Sequence, residues 1–254
     1  MSNRLLEICV ESVDHAIAAE RGGAHRIELC SDLSSGGITP SAGCMQTARR
    51  HLRIPIHVLI RPRPGNFEYS DRELEIMRND VVAAKQLGMD GVVLGVLRED
   101  DRVDIERTKA LVELARPLPV TFHRAFDTSQ NLEASLEDVI QTGASRVLTS
   151  GGQARATDAI AILARLVRQS RERILIMPCG GVNSENVVEI IRTTLAQEVH
   201  SSAGASSPES AGNGSGFAQG NNQAASSLHS TQFEQKVATM VSLLGSVSLD
   251  ERVS

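Results

Sequence analysis

Short apolar runs rich in β-branched residues alternate with longer stretches whose apolar residues recur at helical spacing, up to about residue 203. The apolar runs predict eight strands, at residues 5–10, 26–30, 54–60, 91–97, 119–123, 146–150, 174–177 and 198–201. The amphipathic stretches predict helices at residues 13–22, 41–52, 71–87, 104–116, 132–142, 155–170 and 184–192. This regular alternation of strand and helix indicates βαβ units and a parallel sheet.

The number and character of the strands indicate how this sheet is arranged. Short strands that are mostly apolar on both faces favour a single-domain (β/α)8 TIM-type barrel, and a chain of 254 residues is an ordinary length for one. A Rossmann-like open sheet is the alternative, but it needs a glycine-rich turn after the first strand, and none follows Val10. We therefore expect residues 1–254 to form one barrel domain.

The composition changes abruptly near residue 204. Between about residues 204 and 230 the chain consists mainly of Ser, Gly, Ala, Asn and Gln. Such a segment buries too little apolar surface to order itself, so it predicts a flexible loop at residues 204–230 within the barrel domain. Beyond it, apolar residues from Phe233 to Leu244 recur at helical spacing and predict an eighth helix that closes the ring.

Composition and charge narrow the partners and the location. A net charge of −5 and an aromatic content of 2% argue against a nucleic-acid partner, which normally shows a basic patch and stacking aromatics. No apolar run approaches the roughly 18 residues that a membrane span needs, and the first residues do not resemble a secretory signal. The four cysteines do not form a disulfide framework in so long a chain, so we expect free thiols in the cytoplasm.

Ionisable residues interrupt the predicted strands, which is unexpected in a barrel that is buried on both sides. Alternate residues of a strand share a face, and most of these side chains fall on one parity near the C-terminal strand ends, where barrel active sites form. Converging buried groups of this kind are costly unless they serve a function. The candidate acid–base residues are Glu7, Glu28, His57, Arg61, His123, Asp127 and His200.

Several strings of the sequence resemble the CutC copper-homeostasis family, in order from residue 5 to about 203. The strings are Glu28-Leu-Cys-Ser31, Gly36-Gly37-Ile-Thr-Pro-Ser41, Ile60-Arg-Pro-Arg63, Thr121-Phe-His-Arg-Ala-Phe-Asp127, Arg146-Val-Leu-Thr-Ser-Gly-Gly152 and Glu198-Val-His-Ser-Ser-Ala203. The resemblance implies a (β/α)8 barrel, a cytoplasmic location, a role in copper homeostasis and a homo-oligomer. It implies no agreed enzymatic reaction.

Two departures from the family pattern affect the site. Cys179 stands in the turn after the seventh strand, where the family pattern has a small glycine. After Ala203 the family continues with Arg, Met and aromatic residues, and this chain has the low-complexity segment instead. The contribution of that segment to the site or to an oligomer contact is therefore open in this chain.

Two cysteines are candidate ligands for Cu(I), a soft ion that prefers thiolates. Cys30 ends the second predicted strand, and Cys9 lies on the neighbouring first strand with the same parity. Adjacent strands are about 4.8 Å apart, so two facing thiols can share one ion, which His57, His123 or His200 can complete. Zinc is a weaker alternative, and each cysteine can instead be a small buried hydrophobe.

An anion site is a second candidate, because barrels often bind phosphate at the loops after strands seven and eight. Gly180 and Gly181 precede a predicted helix, whose free N–H groups and dipole suit an anion. The alternative is that these glycines only form tight turns. The candidate anion-binding residues are Arg63, Thr149, Ser150, Gly151, Gly180, Gly181 and Ser201.

Two classes of function follow. The chain is either a copper-binding homeostasis protein, as the resemblance implies, or a barrel enzyme that uses acid–base chemistry on a small anionic or sugar-like metabolite. The many charges at the predicted barrel mouth favour an enzyme, since a simple carrier needs few of them. Schiff-base catalysis is not expected, because the three lysines, Lys85, Lys109 and Lys236, all lie in predicted helices.

Overall fold

The computed structural model describes residues 4–204 and 222–247, with the backbone alone described at residues 222–229. Strands and helices alternate through these ranges. The strands are β1 (Leu5–Val10), β2 (Arg26–Leu29), β3 (Ile56–Leu59), β4 (Gly91–Leu94), β5 (Val120–Phe122), β6 (Arg146–Thr149), β7 (Leu175–Pro178) and β8 (Glu198–Ser201). The helices are α1 (Val13–Arg21), α2 (Ala42–His51), α3 (Asp71–Gln86), α4 (Ile105–Ala115), α5 (Leu132–Thr142), α6 (Ile160–Ser170), α7 (Val187–Thr194) and α8 (Asn222–Gly245).

The eight parallel strands form a nearly closed barrel. Backbone ladders join successive strands from β1 to β7, and β8 pairs with β1. β7 and β8 lie side by side, and within the described residues no ladder joins them. The predicted (β/α)8 TIM-type fold is therefore confirmed, and the open Rossmann-like sheet is not formed.

Helix boundaries follow the sequence pattern, and side-chain caps explain several of them. Ser41 caps α2 by accepting the backbone N–H of Cys44. Ser70 caps α3 and forms a capping box with Glu73, so Asp71, a predicted helix start, is the first helical residue. The predicted helix at residues 155–170 divides into a 3₁₀ turn and α6.

The final helix is longer than its apolar pattern. Phe233, Val237, Met240 and Leu244 are buried, as predicted from their spacing. However, α8 begins at Asn222, so this helix includes the last part of the segment that was predicted as a loop at residues 204–230. A helix extends at little cost from a docked segment once it is nucleated, and composition alone does not reveal this. Residues 205–221 of that loop lie outside the described residues.

Each strand directs one parity outward to the helices and the other into the barrel. The outward side chains, such as Leu6, Ile27 and Val92, form the main hydrophobic core beneath the helices. The inward side chains include an unusual number of ionisable groups. They are Glu7, Arg26, Glu28, His57, Arg61, His123, Arg146, Glu198 and His200.

No helix in residues 4–204 or 222–247 combines the length and the apolar character that a bilayer crossing requires.

Candidate functional site

A cavity of about 330 Å³ lies at the carboxyl ends of the barrel strands. The C-terminal strand ends are where barrel folds place their sites, since the βα loops there are free to vary. Of the predicted acid–base and metal residues, six line this cavity: Cys9, Glu28, Cys30, Arg61, His123 and His200. Glu7, His57 and Asp127 do not line it, and each has a different position described below.

Cys9 and Cys30 face each other on one wall of the cavity. Both side chains are buried, and their sulfur atoms lie 3.7 Å apart. Cys9 is paired in register with Glu28 of β2. Cys30 is two residues after Glu28 and therefore lies on the same face of the sheet, closer to the C-terminal strand ends. The hydrogen bond to Cys30, burial, and the nearby Glu28 carboxylate all raise the pKa of the Cys9 thiol. Cys9 therefore keeps its proton at neutral pH unless a bound metal ion displaces that proton.

His200 lies between two carboxylates beside this pair. Its Nδ1 lies 2.7 Å from Glu7 Oε1, and its Nε2 lies 3.7 Å from Glu28 Oε2. Burial opposes protonation of the ring, but the hydrogen bond to Glu7 and the charge of Glu28 raise the pKa of His200. Burial also raises the pKa of Glu28. Ligand atoms of Cys9, Glu28 and His200 all lie within 4.8 Å of one another, which suits a metal ion.

A layer of ion pairs below the cavity supports Glu7. Arg26 donates to both Glu7 and Glu198, and Arg146 Nε donates to Glu198 at 2.8 Å. Although burial opposes ionisation, the charges of Arg26 and His200 lower the pKa of Glu7. The three other members of this layer were not among the predicted site residues. Their signal was available, because Arg26, Arg146 and Glu198 share the inward parity of Glu28 and His200.

His57 lies in this lower layer, outside the cavity wall. Its Nδ1 is 4.0 Å from Glu7 Oε2, and Nδ1 has no hydrogen-bond partner among the described residues. The ring packs on Gly91 of the next strand, where a Cβ atom would lie 2.5 Å from it. Burial, with a contribution from Arg26, lowers the pKa of His57 to about 4. We therefore place this imidazole, neutral at physiological pH, in the barrel floor.

His123 follows β5 and lines the opposite part of the cavity. Its Nδ1 accepts the backbone N–H of Ala125 at 3.2 Å, and its ring lies 4.8 Å from the Phe67 ring, centroid to centroid. Burial and the nearby Arg61 charge lower the pKa of His123 to about 3. The Nε2 atom has no partner in the described part of the chain.

The predicted arginines hold loops in place. Arg61 lines the cavity, but its guanidinium donates to the carbonyl oxygens of Gly37 at 2.7 Å and Gly65 at 2.8 Å. Arg63 does not line the cavity and is bonded to Glu73 and to carbonyls of its own loop. Arg61 thus shapes the mouth, and Arg63 lies away from the predicted anion site.

The donors after β6 are occupied by the side chain of Asp127. Its carboxylate accepts from Thr149 Oγ1 at 2.5 Å, from the Ser150 N–H at 3.0 Å and from the Gly152 N–H at 3.1 Å. Arg124 adds an ion pair at 3.0 Å. Thr149 and Ser150 were predicted to bind an external anion, and Asp127 was predicted to be catalytic. In the structure these residues are hydrogen-bonded to each other instead, because the Asp127 carboxylate accepts the hydrogen bonds that the loop donates.

The turn after β7 retains free donors. Gly180 and Gly181 line the cavity with left-handed backbone, at φ +88° and +67°, and their N–H groups have no acceptor among the described residues. Gly151 is different, since its N–H donates to Thr149 Oγ1. Ser201 lines the cavity, but its hydroxyl donates to Val182 O at 2.6 Å.

Two further cavity residues were missed as site candidates. Arg124 lines the cavity beside its bond to Asp127, and Cys179 lines it from the turn directly after β7. Cys179 packs with Leu148 and Met177, and burial raises the pKa of its thiol. In the sequence, Cys179 is a departure from the family pattern with no predicted role.

A model of the CutC family matches residues 4–205, which include all of the residues above. The chain belongs to the CutC family. It is 49% identical over 199 residues to a human protein named copper homeostasis protein cutC homolog, covering 78% of this chain and 73% of the human one. A CutC family protein of Chromobacterium violaceum is 47% identical over 201 residues, covering 79% and 81%.

A solved structure agrees with this assignment. The CutC protein of Streptococcus agalactiae superposes with a TM-score of 0.75 at 34% identity, covering 78% of this chain and 98% of that one. The CutC match ends near residue 205, so α8 of this chain lies outside the part that the family model describes. The cavity, in contrast, lies wholly within it.

Proposed function

We propose that this CutC protein binds Cu(I) as its cargo, between Cys9 and Cys30. The observation that carries the proposal is the pair of buried thiols 3.7 Å apart on a cavity wall. Thiolates are the preferred ligands of Cu(I), and two or three of them, or a pair completed by imidazole, are enough. The human relative is named a copper homeostasis protein, which supports the same ion.

The donor set fits a bent, three-coordinate ion. A metal–thiolate bond is about 2.3 Å long, so two sulfur atoms 3.7 Å apart cannot hold an ion on the line between them. The ion would lie to one side, where Glu28 and His200 offer a third ligand within reach of Cys9. Because burial and its neighbours raise the pKa of Cys9, binding must release protons.

Replacing one thiol tests the proposal. We expect Cys30→Ser to weaken Cu(I) binding by more than the 10- to 100-fold typical of losing an outer-shell partner, because a direct ligand is lost. Cys44→Ser is the matched control, since Cys44 lies on α2 outside the cavity. Competition with a chromophoric Cu(I) chelator measures both. Equal affinity of wild type and Cys30→Ser would remove Cys30 from the site.

A second candidate function is an enzyme that acts on a small oxyanion in the same cavity. Its specific support is size: a cavity of about 330 Å³ falls in the range of small-molecule sites and far exceeds one ion. The free N–H groups of Gly180 and Gly181 supply anion donors. A thermal-shift screen of metabolites and metals tests this, since a ligand of the folded state must raise the melting temperature. If metals alone shift it, the enzyme candidate fails.

We also propose that the protein acts in the cytoplasm as a homo-oligomer. A reducing compartment keeps Cys9 and Cys30 as thiols, which Cu(I) binding requires. The oligomer rests on the family resemblance. Light scattering of the purified full-length chain tests it, and a monomer mass would contradict it.

A further inference from the structure

His123 is held in one tautomer. Its Nδ1 accepts the N–H of Ala125, so Nδ1 carries no proton, and the neutral ring has its proton on Nε2. That Nε2–H is buried and has no acceptor within the described residues. A buried donor without a partner is uncommon and costs stability, so it calls for an explanation. A ligand oxygen in the cavity that His123 lines would supply the missing acceptor.

A glycine next to His123 leaves space for the imidazole ring, and any larger residue at that position would clash with it. Gly95 follows β4, and a Cβ atom there would lie 2.7 Å from His123 Nδ1 and 2.8 Å from Cε1. The φ of Gly95 is not in the left-handed region, so its backbone does not require glycine. Its small size is therefore needed for the imidazole. Phe67 covers the ring from the other side, at 4.8 Å between centroids.

Glu28 belongs to the same cavity but to a distant strand. It lies on β2, and His123 follows β5, so three strand steps around the barrel separate them. The Glu28 side chain is buried and lines the cavity, where a carboxylate can act as a general base on a bound ligand. Within the described residues its ion-pair partner is His200, whose Nε2 is 3.7 Å away, so the carboxylate is not locked in a short ion pair.

We propose that Glu28 and His123 act together on a small carbonyl-bearing oxyanion, as base and hydrogen-bond donor of an enolisation. This rests on the second candidate function above. Glu28 takes the proton from the carbon next to the carbonyl; the C–H electron pair forms a C=C bond, and the carbonyl oxygen becomes an enolate. The His123 Nε2–H stabilises that oxygen. Return of a proton from Glu28 to the same carbon re-forms the carbonyl and completes the exchange, and no co-reactant is needed.

The turn after β7 orients such a ligand. Its carboxylate or phosphate would accept the N–H groups of Gly180 and Gly181, which also line the cavity. The neutral Nε2–H of His123 is well suited to the carbonyl end of the ligand. It stabilises developing charge without transferring its own proton, and the lowered pKa of His123 keeps it neutral across the physiological range.

The test is proton exchange with solvent. Pyruvate, 2-oxoglutarate and dihydroxyacetone phosphate are each incubated with the full chain in D2O, and loss of the α-proton signal is followed by 1H NMR. At least one of them should exchange. Glu28→Gln should slow its exchange about 100-fold or more, as expected for a general base. His123→Phe should slow it about 100-fold, as for one oxyanion donor. His51→Gln, exposed on α2, is the control and should exchange normally.

Two further variants separate positioning from stability. His123→Gln keeps an N–H donor and should recover part of the rate that His123→Phe loses. Gly95→Ala should lower the rate while His123 itself is unchanged, because the added Cβ displaces the ring. Melting temperatures show that each variant is folded.

Three outcomes overturn the proposal: no exchange above the Glu28→Gln background with any of the three compounds, exchange unaffected by His123→Phe, or equal rates for the Phe and Gln variants. Thermal shifts with the same compounds and with inorganic phosphate are measured in parallel. Binding without exchange would reject the enolisation and leave the oxyanion site standing. Absence of any shift would reject both. The Cu(I) affinity of His123→Phe should remain that of wild type, so the copper proposal is tested separately.

Discussion

The inward-facing histidines differ in charge because their surroundings differ. Burial is the largest influence on His57 and His123, neither of which is hydrogen-bonded to a carboxylate within the described residues, and their pKa values fall to about 4 and about 3. His200 is equally enclosed, but it lies between Glu7 and Glu28, and its pKa rises. Burial without a partner favours the neutral form, and burial beside a carboxylate favours the charged one. The same side chain is therefore neutral at two positions, while at the third its surroundings favour the protonated form.

This difference predicts how acid destabilises the fold. A histidine with a depressed folded pKa contributes stability above its unfolded pKa of 6.5, and that stability is lost as pH falls towards the folded value. For His57, folded at about 4, the loss between pH 8 and pH 5 should be about 2 kcal/mol. We expect His57→Gln to reduce the wild-type drop in unfolding free energy by this amount, measured by urea denaturation at both pH values.

The control for this experiment is His51→Gln, an exposed histidine on α2. It should leave the drop between pH 8 and pH 5 unchanged. His200 acts in the opposite direction, since its raised pKa adds stability at low pH that is lost as pH rises. Because His200 is present in the wild type and in both variants, its contribution cancels in the comparison. An equal drop in wild type and His57→Gln would mean that His57 is not buried in the neutral form.

At the scale of one element, β2 carries two charged residues on the same face whose surroundings differ. Arg26 is bonded to both Glu7 and Glu198, whereas the nearest charge to Glu28 is 3.7 Å away. Removing one partner of a buried ion pair leaves an uncompensated charge, which costs about 3–5 kcal/mol. Glu28 is not fixed in this way, and burial already disfavours its charged form.

We therefore expect Arg26→Met to lower the unfolding free energy by about 3–5 kcal/mol. Glu28→Gln should change it by less than about 1 kcal/mol, because a neutral side chain of the same shape replaces a carboxylate with no short ion pair. Denaturant melts of the two variants provide the comparison. If Glu28→Gln loses as much stability as Arg26→Met, then Glu28 is part of the structural network and the active-site interpretation fails.

The contact of α8 with the barrel depends on a glycine after α1. A Cβ atom at Gly22 would lie 2.7 Å from Glu234 O and 2.8 Å from Val237 Cβ, both on α8. Gly22→Ala should therefore destabilise the protein by about 1–3 kcal/mol, as overpacking does. Gly43→Ala, inside α2 with open space around it, should instead stabilise by up to about 1 kcal/mol. Thermal melts measure both, and equal signs would contradict the packing of α8 described here.

Element positions were largely predictable because the strands and helices carry strong local patterns. β1, β8 and α5 have the predicted bounds, since apolar runs and Asn or Gly caps mark their ends. The start of α8 was not predictable, because its first residues are polar and small and give no amphipathic signal. At the site, parity predicted the inward faces of Glu28 and Cys30. It did not reveal the bonding of Asp127 to Thr149, which depends on how two loops meet in space.

At the scale of the whole molecule, the barrel interior is divided into layers. The floor is a closed set of ion pairs around Arg26 and Glu198, which needs no ligand. Above it, Cys9, Cys30 and His200 form a soft-ligand wall, and the cavity opens beyond them. The ion pairs of the floor lie beneath the side chains that line the cavity. This order is what a binding site on a rigid support requires, since the support holds the ligand atoms in place before the ligand arrives.

X-ray absorption spectroscopy of the Cu(I)-loaded full chain tests the central claim most directly. If Cys9 and Cys30 share the ion, the spectrum should contain two sulfur neighbours at about 2.3 Å and one lighter neighbour from Glu28 or His200. Cys30→Ser should remove one of the two sulfur neighbours. A coordination shell of nitrogen and oxygen alone, or two sulfur neighbours that persist in Cys30→Ser, would contradict the assignment of copper to this pair.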